Sequence, residues 1–231
     1  MISRRRLLAS VTVLPGAALA TSADARKRKQ KPKPKPKFQV KTVTRTFTSN
    51  DFIVTPDLLG GPASVYPSKI KVQGLTQGRI QRVTVTLTNF SVKFPNELDI
   101  LLAAPNGKAT ILMSDVGGAW PDVVPPAASV TFDDAASGNV PTPLVGGTFR
   151  PTNVTTFFGD SDPFPPPAPT GITSASLGTF KGGNPNGMWS LFIVDDSLED
   201  GGSIGGWSLK ITARIRVRVK SKPKKRSQRA A

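Results

Sequence analysis

From Trp207 to Lys220 the chain alternates without a break. Trp207, Leu209, Ile211, Ala213, Ile215, Val217 and Val219 are apolar, and every residue between them is polar. A period of two belongs to a β-strand, whose side chains alternate between faces and repeat about every 6.6–6.8 Å along one face. The same period runs through "RVTVTLTNF" (82–90), where Val83, Val85 and Leu87 oppose Thr84, Thr86 and Thr88. It recurs in "ELDILLAAP" (97–105), with Leu98, Ile100 and Leu102 against Asp99. "MWSLFIV" (188–194) is apolar on both faces apart from Ser190, the pattern of a central strand. Pro105-Asn106-Gly107, Gly117-Gly118, the run Gly182–Gly187 and Gly201-Gly202 punctuate these segments as turns. No segment has a helical period. The pattern predicts one all-β domain over residues 38–219, a β-sandwich of jelly-roll type. "FFGDSDPFPPPAPTG" (157–171) carries too many prolines for a central strand and is expected to be a long loop.

The flanks follow different rules. "MISRRRLLASVTVLPGAALATSADA" (1–25) has a basic start, a short apolar run and small residues at its end, with cleavage expected after Ala20 or Ala25. Its apolar run is too short to span a bilayer, so no transmembrane segment is expected once it is removed. "SRRRLL", with Arg4 and Arg5, resembles a twin-arginine export signal, although an ordinary secretory signal shares the general plan. Either route places the mature chain outside a bacterial cytoplasm, secreted or on the cell envelope. "RKRKQKPKPKPK" (26–37) is a Lys/Pro arm suited to an extended, unfolded rod, and 220–231 is a second basic tail.

Charge is divided along the chain. Residues 1–45 hold 13 Lys/Arg against the single acid Asp24, and residues 210–231 hold ten Lys/Arg and no acid. The body between them holds 8 Lys/Arg and 14 Asp/Glu. The net charge of +16 thus belongs to the ends, and basic ends imply a polyanion partner or a solvated tail. The absence of cysteine excludes disulfides and thiolate chemistry, and the absence of histidine excludes a Ser-His-Asp triad. No glycine-rich phosphate loop precedes a helix, which counts against nucleotide binding.

Several segments in order point to a family. They are "ASVYPSKIKVQGLTQGRIQRVTVTLTNFS", "FPNELDILLAAPNGKATILMSDVGG", "SVTFDD" and "LGTFKGGNPNGMWSLFIVDDSLEDGGSIGGWSLKI". Together, over roughly residues 46–212, they resemble the P domain (homo B domain) of proprotein convertases in its bacterial form. The resemblance implies a jelly-roll sandwich without catalytic residues, of the kind fused to a subtilisin-like serine protease, which it stabilises. The expectation is therefore a non-enzymatic module, linked to serine endopeptidases by association only, with a serine protease or another envelope protein as partner. Ser91-Val92 stands where the family often has Ser-His, so any role of that histidine is not carried over.

Three candidate chemistries remain. "VDDSLEDGG" gathers Asp195, Asp196, Glu199 and Asp200 on one connection, and Asp99 and Asp115 could join them at the strand ends. Such oxygens suit calcium, whereas the alternative is that Asp and Gly merely build a turn. Lys210, Arg214, Arg216, Arg218 and Lys220 form a cationic comb on one face of the last strand. It suits an anionic polymer or surface, while the alternative is an edge strand using charge to block pairing. Neither arm has base-reading features, so sequence-specific nucleic-acid recognition is not expected. The pairs in "FDD" (132–134) and "GDSDP" (159–163) offer no defined glycosidase geometry. Trp189 and Trp207 are expected in the core, and Trp120 either packs in its loop or stacks on a sugar.

Overall fold

The computed structural model describes residues 36–119, 127–154, 164–198 and 201–219. In chain order the described strands are β1 (Phe38–Ser49), β2 (Ile53–Val54), β3 (Gly61–Pro62), β4 (Ser68–Val72), β5 (Arg79–Phe90), β6 (Leu98–Ala103) and β7 (Ala109–Ser114). They continue with β8 (Ala128–Phe132), β9 (Gly147–Phe149), β10 (Thr152–Asn153), β11 (Gly187–Asp195), β12 (Ser203–Ile204) and β13 (Gly206–Arg218). Two single-turn 3-10 helices, Pro95–Glu97 and Leu177–Phe180, are the only helical elements among the described residues. None is long and apolar enough to cross a membrane.

The strands form two large sheets, ordered β1-β13-β5-β8-β9 and β10-β7-β6-β11-β3, with β4 also pairing β11. The chain passes repeatedly from one sheet to the other, as in a jelly-roll sandwich. Both inner faces supply the core. Val83, Val85 and Leu87 of β5 and Trp207, Leu209 and Ile211 of β13 meet Leu98, Ile100 and Leu102 of β6 and Trp189, Leu191 and Ile193 of β11. These are the odd or even sets that the alternation assigns to one face, and all are essentially inaccessible. Each core tryptophan also satisfies its indole N–H, as burial demands. Trp189 donates to the Pro185 carbonyl at 2.9 Å. Trp207 donates to Ser68 Oγ at 2.7 Å, and Ser68 donates onward to Asp51 at 2.7 Å.

The outer face of the second sheet is also buried. Leu101, Ala103, Ala109, Ile111, Phe192 and Val194 pack beneath Phe164, Ala168, Tyr66 and Ile172. The described part of the proline-rich loop thus forms a cover, held by Tyr66 Oη donating to Pro165 O at 2.8 Å. A cover over this face is why β6, β7 and β11 read as nearly continuous apolar runs. The outer face of the first sheet is open and polar, with threonine pairs Thr44–Thr212 at 2.8 Å and Thr86–Thr131 at 2.9 Å.

Candidate anion-binding site

From Trp207 to Arg214 β13 is not an edge strand. It pairs with β1 along its whole length and with β5 from Gly206 to Arg214. β1 covers one edge of β13 and β5 covers the other as far as Arg214, so blocking edge-to-edge pairing does not account for Lys210 or Arg214, while Arg216 and Arg218 lie on a stretch open on its β5 side. Past Arg214 the sheet narrows to β1 and β13 alone, and Phe38–Thr42 with Arg214–Arg218 project as a two-stranded ribbon. Arg214, Arg216 and Arg218 are exposed on one face, opposite Thr42, Val40 and Phe38. The Arg216 guanidinium lies 4.9 Å from the centre of the Phe38 ring, a cation–π arrangement.

A β-bulge sets the inner end of this face. In the β13–β5 register Thr212 opposes Arg82, whereas Ala213 opposes Ile80, so Gln81 is the extra residue. Counting back from Val83 by twos would turn Gln81 and Arg79 inward and Ile80 outward. The bulge keeps Ile80 in the core and places Arg79 outward, in register with Arg214. Arg79, Arg214 and Arg216 then line one cleft of about 730 Å³ together with Val40, Gln77, Gly78, Gln81, Asn184 and Asn186. Asn186 clamps its floor, accepting from Leu75 N at 3.0 Å and donating to Leu75 O at 2.8 Å. Ile80 and Gly182–Gly183 exchange two further backbone bonds of 2.9 and 3.0 Å.

The predicted comb is thereby divided. Arg214 and Arg216 belong to the cleft and Arg218 to the ribbon tip, whereas Lys220 lies outside the described residues. Lys210 sits further along the sheet, in a smaller hollow with Thr44, Arg82, Thr84, Asp133 and Thr212. There Arg82 pairs with Asp133 through both guanidinium Nε (3.0 Å) and Nη2. Burial acts to raise the Asp133 pKa, but Arg82, the Ala135 amide and Thr84 together hold it below the usual carboxylate range. The same contact raises the Arg82 pKa. Asp134 accepts from Ser176 Oγ, Leu177 N and Gly178 N, the start of a 3-10 helix. The two acids of "FDD" are thus an ion-pair partner and a helix cap.

The acids predicted for calcium lie at the other end of the sandwich. Asp195 ends β11 opposite Leu98, and Asp99 of β6 opposes Val194. Asp195 shares the face of Ile193, Asp99 the face of Leu101, so their side chains leave the sheet on opposite sides. Asp195 Oδ1 accepts from Ser197 N at 3.2 Å, an interaction of turn type. Asp196 N donates to Glu97 O at 3.0 Å, and Asp115 follows β7 with a φ of 55°. Among the described residues no three acids are grouped to hold a metal ion. Asp200, Glu199, Trp120, residues 159–163, Arg4 and Arg5 lie outside the described residues.

Around these acids large apolar side chains are exposed: Phe52 (63%), Leu58 (77%), Leu59 (74%) and Leu198 (61%). Their loops adjoin one another. A Cβ on Gly60 would lie 2.8 Å from Ser197 O and 3.0 Å from Asp195 O, and Gly201 N donates to Asp57 at 3.3 Å. The sandwich therefore has a cationic pole and an acidic, apolar pole.

Sequence reading identified the ribbon arginines but not Arg79 or the amides. Its signal was present: Ile80 and Val83 are three apart, a break in a period of two.

No family model matches the chain, and no curated protein does. Two solved structures share part of its outline: the serine protease of Aeromonas sobria (12% identity, TM-score 0.36) and the complex of that protease with its chaperone (13% identity, TM-score 0.35). Each alignment covers 78% of this chain and 28% of the other, so the chain spans little more than a quarter of their length.

Proposed function

We propose that the chain is an exported, non-catalytic binding module of P-domain type, held on an anionic polymer of the cell envelope by its cationic pole. The observation that carries this reading is the β1/β13 ribbon. It extends beyond the sandwich, with three guanidinium groups on one face and no described carboxylate paired to them. Projecting arginines contribute little to the core, but they suit an extended polyanion, with which each makes a forked, charge-assisted contact. The ordered segments quoted above and the two-sheet architecture support the P-domain part of the reading.

Replacing Arg214, Arg216 and Arg218 together by Gln tests it. The triple variant should keep its melting midpoint, because these side chains lie outside the packed core. Retention on an immobilised polyanion such as heparin should fall, with a shallower dependence on salt concentration. Unchanged retention and salt slope would overturn the reading.

The opposite pole favours a second reading, in which the module also docks a protein, the class to which a serine protease belongs. Exposed Phe52, Leu58, Leu59 and Leu198 rimmed by acids have the make-up of a protein-binding surface. Leu58→Asp combined with Leu59→Asp should abolish capture of an envelope serine protease while leaving heparin retention intact. Capture at the wild-type level would remove this second role.

A further inference from the structure

The cleft at the cationic pole has features that a bare charge patch does not need. We infer that it is a binding site for an acidic glycan: Arg79, Arg214 and Arg216 take its anionic group, and the neighbouring side-chain amides take its hydroxyls. This rests on the polyanion reading above and names the chemistry of the ligand.

Arg79 and Arg214 lie side by side in the wall of the cleft. They are direct cross-strand partners, and like charges so placed repel each other. A Gln81 bulge maintains the arrangement, and no described carboxylate lines the cleft to relieve it. An anion seated between the two guanidinium groups turns the repulsion into a binding contribution.

Size and rigidity come next. At about 730 Å³ the cleft falls within the range of small-molecule sites, roughly 300–1,000 Å³, and is far larger than a lone oxyanion fills. The Asn186–Leu75 clamp and the Ile80–Gly183 bonds join its two loops, so the cleft is formed before any ligand arrives.

The amides then select the ligand. Asn184 Oδ1 already accepts from Asn186 N and Nδ2 at 3.1 Å, leaving its NH2 group as a donor. Gln81 Nε2 donates to the Arg79 and Ile80 carbonyls at 3.3 and 3.1 Å, leaving its side-chain oxygen as an acceptor. Donor and acceptor beside an anion pocket match sugar hydroxyls, each of which both donates and accepts. A nucleic-acid strand fits less well. No aromatic residue lines the cleft, and the nearby Phe38 ring is covered by Arg216. Single-strand binding draws much of its affinity from stacking of bases on aromatic side chains, which is not on offer here.

The test uses the full chain and three labelled probes at one ionic strength: hexagalacturonate, inorganic polyphosphate and oligo-dT, the last two matched to the first in charge. Binding is read by fluorescence anisotropy, with a thermal melt of each variant as the folding control. Arg79→Gln should weaken hexagalacturonate by about tenfold or more, the loss of a charged hydrogen-bonded contact. Arg218→Gln, which removes the same charge at the ribbon tip outside the cleft, should weaken it by less than about threefold, as an exposed, screened charge does. Asn184→Ala should weaken hexagalacturonate and leave polyphosphate unchanged, and it carries the test if Arg79→Gln does not fold. Equal losses from Arg79→Gln and Arg218→Gln would overturn the cleft while leaving general polyanion binding standing. So would polyphosphate or oligo-dT binding as tightly as the uronate with the same sensitivity to Asn184→Ala. Failure of all three probes to bind would overturn both readings.

Discussion

Asp133 shows how a single carboxylate is held on an otherwise cationic sheet face. It is nearly buried, whereas the side chain of its partner Arg82 is 55% exposed. Solvent therefore screens the pair, and its worth is that of a surface ion pair, at most about 1 kcal/mol. The sign of its pH dependence follows from its lowered pKa. A carboxylate whose folded pKa lies below its unfolded value of about 3.9 contributes stability above that value and loses it as the pH falls through the folded pKa. Asp133→Asn should accordingly unfold at lower urea than wild type at pH 7, and the gap should close in strong acid. A gap that stays constant with pH would show that shape and hydrogen bonding, rather than charge, set the difference. Asp51, held low by its hydrogen bonds to Ser68 and Ser49, adds a pH dependence of the same sign. The core positions of Trp189 and Trp207 were legible from their apolar runs. The Trp207–Ser68–Asp51 chain was not, because its members lie 139 and 17 residues apart and only the folded chain brings them together.

At the level of strands, period-two reading found β5, β6, β11 and β13 and assigned their faces, because each buries at least one face against the core. β1 went unread as a strand: its mixture of Thr, Lys, Val and Phe gives only Val43 and Phe47 to the core margin. The β5 bulge was passed over as well, although the three-residue step from Ile80 to Val83 marks it, since a pattern argument presumes an unbroken register. That bulge makes a sharp prediction. Deleting Gln81 removes the extra residue and leaves Arg82 opposite Thr212, Ile80 opposite Ala213 and Arg79 opposite Arg214, an unbroken ladder in which Ile80 still faces inward. Stability should change by no more than about 1 kcal/mol in denaturant melts, while hexagalacturonate binding should weaken with the loss of the Gln81 side chain from the cleft. A loss of several kcal/mol would show instead that the packing depends on the extra twist the bulge imparts.

For the whole molecule, composition foretold opposite charges but not their separation. The sequence places four acids beside apolar runs and a cationic strand only a few residues further on. Folding sends them apart, because β11 carries its acids to one end of the sandwich and β13 runs back to the other. The cationic cleft was least legible, since its lining comes from β1, β5, β13 and two turns distant in sequence. The pairing of β1 with β13 has a mechanical consequence. Phe38 lies opposite Arg218, and Val219 N donates to Lys37 O at 2.9 Å, so the points at which the two basic flanks join the fold lie side by side. Tension drawn between those flanks opens the β1/β13 ladder like a zipper, one rung at a time, and meets little resistance. Tension between the cationic pole and the acidic pole instead runs along the long strands and loads many rungs together in shear. A module anchored by its ribbon and pulled from its far end is thus gripped in its strong direction, and yields easily only when its own two ends are drawn apart.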